Sequence, residues 1–592
     1  MRENRLACLY SLVFATLSCY HAVAQDADPP TSQAEQRTEI WVGTLETNVI
    51  KLKLQLTIKF AEDGSLRGEL LSPDQTSTPM LLDQVIRTEQ DLGFVIQRSQ
   101  VIFSGELDEA QQVASGEFQQ QGNKIPLTMT RIEEAITVQP KATWYGQTTI
   151  GVRPFEIQIR QLVDSLGDES AKLDLMSENA FNQTVGFEME ADSVRIGSLQ
   201  TGIEFRGQLQ PTGDRLTGEL SLGRVSFPFE LTKVPLDQTK PWQFERTQTL
   251  ATPFPYRLSE FTVVPRQVDA KFEPNVTLVG TASVPEGEGP FPCVILATGT
   301  GLKDRDNQFS GHRPYAILAD YLTRQGYLVV RYDDRGVGKS SAPSANFNSL
   351  SLAADLEAIY LWARQLDLVD AGRIALVGHS EGASLAAMVA ARQKEVSALI
   401  LLSPQGIPGK QWIKSQLVRR GSTYQVPTEI VEQQLLFFDQ LMEWAVADQA
   451  LSKEAIDQLA EQLFGELSEL QLFEFRIDNL ADGAFEAFQS NWMKFFLNYD
   501  PRSTFAYVST PVLMLAGAKD TEMVVDQNLA AVELALRAGG NNQLTQRVFP
   551  ELNHHLQTSV TGTPEETMRL TESISPAVMA QISEWLPTCW ND

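Results

Sequence analysis

The run Gly378-His379-Ser380-Glu381-Gly382 constrains this chain more than any other feature of it. It follows the apolar stretch Arg373 to Val377 and opens a helical stretch, Ala383 to Ala391. A serine placed between a strand and a helix must sit on a sharp turn. Gly378 and Gly382 supply the small flanks that such a turn needs, and the serine Oγ then projects beyond the sheet edge. The pattern G-x-S-x-G alone is common. The strand-turn-helix setting is what makes Ser380 a candidate nucleophile.

The surroundings are consistent with that turn. Strand-like runs at Val276 to Val284, Phe291 to Thr298, Tyr327 to Tyr332, Arg373 to His379, Ala398 to Ser403, Pro511 to Gly517 and Leu544 to Phe549 alternate with helical runs such as Pro314 to Gln325 and Leu352 to Leu366. Near-continuous apolar strands such as Val512-Leu513-Met514-Leu515 suit a sheet buried on both faces. The alternation predicts an α/β class with a mostly parallel sheet over 259–592. It stops between Gln405 and Asp500. There Val431, Leu435, Phe438, Met442 and Ala445 mark one helix face, so 405–500 is read as a helical cap that packs on the sheet and roofs a substrate pocket.

The segment before this domain is β-rich. Ile50, Leu52, Leu54, Leu56 and Ile58 alternate with Lys51, Lys53, Gln55, Thr57 and Lys59, a period of two that predicts a strand with one buried face. The segment is also duplicated. Trp41-Val42-Gly43 matches Trp144-Tyr145-Gly146, and Phe103-Ser104-Gly105-Glu106-Leu107 matches Phe205-Arg206-Gly207-Gln208-Leu209. Ser115-Gly116-Glu117 matches Thr217-Gly218-Glu219, and Ile125-Pro126-Leu127 matches Phe227-Pro228-Phe229. An ordered series at a nearly constant shift predicts two copies of one β-module, 41–137 and 141–236. Pro235, Pro241, Pro253 and Pro255 favour extended backbone and mark 237–258 as a linker.

The first 24 residues read as a signal peptide: Arg2 and Arg5, a largely apolar run from Leu6 to Leu17, then Ala22-Val23-Ala24 as an A-x-A cleavage site. Cleavage is expected after Ala24, with 25–40 as a flexible N-terminus and the mature protein periplasmic or secreted. A lipoprotein reading through Cys19 is weakened by Thr16, which stands where a lipobox has Leu. Cys8 and Cys19 leave with the signal, and Cys293 and Cys589 are too few for a disulfide framework. The formal net charge of −27 argues against nucleic acid and anionic membrane as partners, because both attract basic surface. No membrane insertion is expected, since no later apolar run is long enough to span a bilayer. No metal or organic cofactor is implied. The oligomeric state is left open.

A serine hydroxyl is a poor nucleophile without a base, itself oriented by an acid. The mature chain has four histidines: His312, His379, His554 and His555. When Ser380 sits on such an elbow, the acid follows a late strand and the base follows the last one. Asp520 follows Pro511 to Gly517, and His554 and His555 follow Leu544 to Phe549. Glu522 and Asp526 compete with Asp520. His379 lies inside the elbow and His312 starts a helix, so neither suits the base role. The tetrahedral intermediate needs two donors for its oxyanion. One is the N–H of Glu381. The other comes from Gly299-Thr300-Gly301, with the N–H of Thr300 favoured and Gly301 next.

Three segments carry a family resemblance. Asp333-Asp334-Arg335-Gly336-Val337-Gly338-Lys339-Ser340, Gly378-His379-Ser380-Glu381-Gly382 and Leu552-Asn553-His554 resemble elements of a bacterial family of secreted esterases with the α/β-hydrolase fold, close to the dienelactone-hydrolase and serine-aminopeptidase-like branch. Lys303-Asp304-Arg305-Asp306 looks like another of its stretches. Leu302 stands where the family usually has Pro, and Thr300 where it has Ser. The resemblance implies ester hydrolysis, Asp520 as the acid, and His554 rather than His555 as the base. Asp334 and Arg335 are candidates for substrate contact, or for tying the loop after the third strand by an ion pair.

Three functions follow from these residues. The first is an esterase acting through an acyl-enzyme on a small-molecule ester, with short acyl chains expected. The second is a peptidase of the prolyl-oligopeptidase type, which needs carboxylates near the nucleophile to hold a substrate N-terminus. The third is a binding protein in which the β-modules hold a polymer and the hydrolase is vestigial. Comparing p-nitrophenyl esters with aminoacyl-p-nitroanilides separates the first two, and a glycan pulldown on the modules tests the third.

Overall fold

The computed structural model describes residues 37–590 apart from 47–50, 62, 74–78, 98–100, 121–122, 151–152, 176–179, 199–201, 224, 236–245, 266–275, 342–346, 448–451, 476 and 478–479. The signal peptide, its cleavage site, the first residues of the flexible N-terminus and the first half of the linker therefore lie outside the described residues. The chain divides into two compact units, one ending at Gln243 and one beginning at Phe244, with Gly151–Arg153 assigned to the second.

The first unit is built from β-strands in two groups. Strands between Arg37 and Ile132 form a nine-stranded antiparallel sheet, and strands between Val138 and Val234 form a closed eight-stranded barrel. The duplication noted in the sequence reappears as matched geometry. Gly105 pairs with Gly116 in the sheet, and Gly207 pairs with Gly218 in the barrel. A Cβ on Gly116 would meet Ser104 O at 2.0 Å, and one on Gly218 would meet Arg206 O at 2.1 Å. Both copies need bare backbone at this cross-strand pair.

The strand Lys51–Phe60 departs from the expected single buried face. Leu52, Leu54, Leu56 and Ile58 enter the core, and Lys53 and Gln55 on the other face are buried as well. The reason is a contact between the two modules. Lys53 Nζ pairs with Asp164 of the second module and lies 2.6 Å from its Asp168 Oδ2, while Gln55 is held within its own module, where its Oε1 accepts the N–H of Ile136 at 2.7 Å. A buried lysine is tolerated only when paired in this way.

The second unit carries an eight-stranded sheet. Its order is Arg257–Val263, Leu278–Val284, Leu328–Tyr332, Phe291–Ala297, Val369–His379, Ala398–Leu402, Val512–Gly517, Leu544–Phe549. The first two pairings are antiparallel and the remaining five parallel. Helices Ser349–Ala363, Glu381–Arg392 and Val525–Ala538 cover one face, and helices Pro314–Arg324 and Pro576–Trp585 the other. Val512 to Leu515 are fully buried because both faces are covered.

Two sequence expectations change here. The edge strand begins at Arg257, inside the expected linker. The residues before it are also bound. Arg246 donates to Leu570 O at 2.7 Å and Gln248 Nε2 to Ile574 O at 2.7 Å, so polar side chains tie down a stretch that its prolines marked as a spacer. The second change concerns the insert. It holds helices Gly409–Thr423, Thr428–Val446, Lys453–Phe464, Glu469–Glu474, Leu480–Gln489 and Asn491–Asn498. In Thr428–Val446 the buried positions are Ile430, Gln434, Phe437, Leu441, Met442 and Ala445. The face is turned by about one residue from that expected, because Phe437 and Leu441 take the centre of the insert's own core.

Candidate active site

The strand Val369–His379 delivers Ser380 to the C-terminal edge of the sheet, and the helix Glu381–Arg392 starts immediately after it. The turn is strained. Ser380 has φ 54° and ψ −118°, a region that side-chain-bearing residues rarely occupy. Its N–H still bonds Leu402 O at 2.8 Å, so the neighbouring strand holds the turn in place. The flanking glycines are required by contact. A Cβ on Gly378 would lie 2.1 Å from Gly382 O, and one on Gly382 would lie 2.3 Å from Thr298 O.

Asp520 follows the strand Val512–Gly517 and is buried. Its Oδ1 accepts the N–H groups of Glu522 and Met523, both at 2.8 Å. That leaves Oδ2 for His554, whose Nδ1 lies 2.7 Å away. Burial disfavours a charged imidazole, but the Asp520 and Glu522 carboxylates outweigh it and push the His554 pKa up to about 9. Glu522 Oε2 is 3.9 Å from His554 Nε2, the nitrogen that Asp520 leaves free. Asp526 is exposed on the first turn of Val525–Ala538.

The backbone of His554 is held as firmly as its ring. Its carbonyl accepts from Ser403 Oγ at 3.0 Å and from His379 Nε2 at 2.9 Å. Burial, with His554 and Lys303 nearby, pushes the His379 pKa down to about 3, so this ring is a neutral donor. His379 is covalently next to Ser380, and its ring centre is 4.9 Å from that of His554. The elbow therefore grips the loop that carries the imidazole. The sequence marks His379 as part of the elbow, while its role as donor to the His554 carbonyl depends on a contact across 175 residues. Ser403 carried a weaker signal, its place at the end of the strand beside the elbow strand.

His555 takes a different course. It stacks on Phe309 at 4.2 Å, and burial with its histidine neighbours holds its pKa well below the usual value. His312 is buried against Ser573 Oγ and Thr567 O, at 3.1 and 3.2 Å.

The loop Gly299 to Gly301 runs against the elbow. A Cβ on Gly299 would lie 3.1 Å from His379 O and 3.4 Å from Ser380 Cβ. Thr300 is exposed and Gly301 adopts φ 83°. Glu381 is the first residue of its helix, and N–H groups of a first turn have no partner inside the helix. Asp334 and Arg335 do not pair with each other. Asp334 Oδ2 accepts from Thr298 Oγ1 at 2.7 Å and from Lys303 N–H at 2.8 Å, which fixes both ends of the loop. Burial pushes the Asp334 pKa up to about 7 against those two bonds. Arg335 forms a bidentate pair with Asp355, at 2.8 and 2.7 Å. Among the described residues no cluster of three or more His, Cys, Asp or Glu side chains has the geometry to hold a metal ion.

Residues 292–557 match the family model described as alpha/beta hydrolase fold, and the C-terminal unit has that fold. The esterase EstD of Thermotoga maritima is 25% identical over 340 residues, which cover 57% of this chain and 71% of that protein. An uncharacterised 31.7 kDa protein of Escherichia coli is 27% identical over 134 residues, 22% of this chain and 43% of its own. Among solved structures, an esterase of Pyrococcus furiosus is similar with a TM-score of 0.36 at 15% identity, over 59% of this chain and 98% of that one. A proline iminopeptidase of Mycobacterium smegmatis is similar with a TM-score of 0.34 at 15% identity, over 56% and 98% of the two chains.

Proposed function

We propose that this protein is an exported serine hydrolase that cleaves carboxylic esters of short acyl chains through an acyl-enzyme on Ser380. The observation that carries the reading is the 2.7 Å contact of His554 Nδ1 with Asp520 Oδ2, on a loop gripped by the residue preceding a strained Ser380. His554 takes the Ser380 proton and returns it to the leaving alcohol. Asp520 sets the tautomer and orients the ring. The N–H of Glu381 and the Thr300–Gly301 loop hold the oxyanion, and water then releases the acid. Likeness to the Thermotoga maritima esterase supports an ester over an amide as substrate.

The test is fluorophosphonate labelling and p-nitrophenyl ester hydrolysis by wild type and Ser380→Ala. The variant loses labelling and on the order of 10⁶ in kcat if the residues act as a unit. Retained activity in Ser380→Ala overturns the assignment. Export, with cleavage after Ala24, is checked by N-terminal sequencing of protein recovered outside the cytoplasm.

A second reading, an aminopeptidase, draws on one observation. Glu522 is a partly exposed carboxylate beside His554 Nε2, suited to a substrate ammonium. Faster turnover of aminoacyl-p-nitroanilides than of esters would favour it.

A further inference from the structure

A buried carboxyl sits directly after the candidate nucleophile, and it does not cap its own helix. Glu381 Oε1 accepts from Ser349 Oγ at 2.6 Å and from Trp492 Nε1 at 2.7 Å. Ser349 opens the helix Ser349–Ala363, and Trp492 belongs to the last helix of the insert, Asn491–Asn498. Trp492 is packed in place by Phe496, with ring centres 5.2 Å apart and planes at 13°, and Phe496 meets Trp412 edge-on at 5.6 Å. The tryptophan therefore reports the position of the insert. Burial raises the Glu381 pKa above the ordinary carboxyl range, while hydrogen bonds from Ser349 and Trp492 to Oε1 lower it; Oε2 is buried without a hydrogen-bond partner among the described residues. Burying a carboxyl is costly where an apolar side chain would pack, so its partners account for its presence.

We propose that Glu381 is a positioning residue whose side chain links the insert, through Trp492, to its own backbone N–H, so that docking of the insert and placement of that oxyanion donor are one event. This rests on the reading of Ser380 as nucleophile. The carboxyl touches neither substrate nor reacting atoms. It acts by holding its own N–H at the position that a developing oxyanion requires.

The test uses the full chain and compares Trp492→Phe, Glu381→Ala and Glu381→Gln with wild type. kcat and KM are measured on p-nitrophenyl acetate, and the fluorophosphonate labelling rate is measured with its endpoint counting active sites. Trp492→Phe keeps an aromatic ring against Phe496 and removes the N–H together with part of the stacked area. It and Glu381→Ala should each lower kcat per site and labelling rate by about tenfold to a hundredfold, with KM within about twofold. Glu381→Gln keeps an acceptor for Ser349 and Trp492 and should restore kcat to within about threefold. A purely structural carboxyl would lower the melting temperature and leave kcat per site unchanged. If Trp492→Phe labels and turns over like wild type, the inference fails alone. Labelling that persists in Ser380→Ala overturns the nucleophile reading and this inference with it. Should Glu381→Ala fail to fold, Trp492→Phe and Ser349→Ala decide, since each removes one donor and leaves the carboxyl in place.

Discussion

In the proposed reaction the chemistry turns on one imidazole whose charge is set by two carboxylates. As the proposed base, His554 would accept a proton from Ser380 only when neutral, yet Asp520 and Glu522 push its pKa up to about 9. A raised pKa means the ring is charged, and inactive as a base, below that value. We therefore expect kcat/KM for a p-nitrophenyl ester to climb as pH rises through about 9. Glu522→Gln removes one of the two carboxylates, so the climb should move to lower pH, with the alkaline plateau kept within a few-fold. A wild-type limb near the ordinary histidine value would show that the two carboxylates do not hold the proton on the ring in the free enzyme. His555 carries no such prediction, because its stack on Phe309 turns it to another task.

At the scale of elements, the elbow holds its strain because its neighbours leave no slack. The sheet fixes Ser380 through Leu402, and the glycines let strand, helix and loop close to about 2 Å of an absent Cβ. Gly378→Ala places a methyl against Gly382 O, and the backbone must give. It should cost about 3 kcal/mol in urea unfolding, together with most activity. Equal stability of variant and wild type would mean the turn relaxes more freely than its contacts allow. The insert teaches a different lesson. Its helical period was readable, and Met442 and Ala445 of the expected face are buried, but partner helices choose Ile430, Phe437 and Leu441 rather than Val431, Leu435 and Phe438 as the rest of that face. The edge strand Arg257–Val263 was half hidden in a proline-marked stretch, since proline signals extended backbone without saying whether a sheet will recruit it.

At the scale of the whole molecule, the first unit joins two copies of a module through polar faces that each copy would expose alone. Lys53 is the hinge of that contact, pairing with Asp164 and Asp168. Lys53→Ala strands a buried carboxylate at Asp164, so the first unit should lose about 3 kcal/mol. Lys53→Met, which keeps the stem and packs against its surroundings, should lose less only if Asp164 is replaced at the same time. Two compact units make a single melting temperature a poor measure, so calorimetry that resolves separate transitions is the appropriate readout. A Lys53→Ala variant with an unshifted first-unit transition would show the pair to be solvated.

What the chain determined unaided is local. Period-two alternation, continuous apolar strands, helical spacing and the Gly-x-Ser-x-Gly turn follow from backbone geometry over a few residues, and the α/β hydrolase fold and β-rich N-terminal region were legible from them. Position along the chain also nominated Asp520 and the pair His554 and His555, because the order of strands dictates which loops share an edge; the family resemblance then pointed to His554. The tertiary structure alone decided which groups meet at bonding distance. His554 finds Asp520 across 34 residues, Glu381 finds Trp492 across 111, and Lys53 finds Asp164 across 111. Such meetings depend on how whole elements pack. A sequence records residue types and order, while contact between distant side chains is set by the burial of surfaces to which every element contributes.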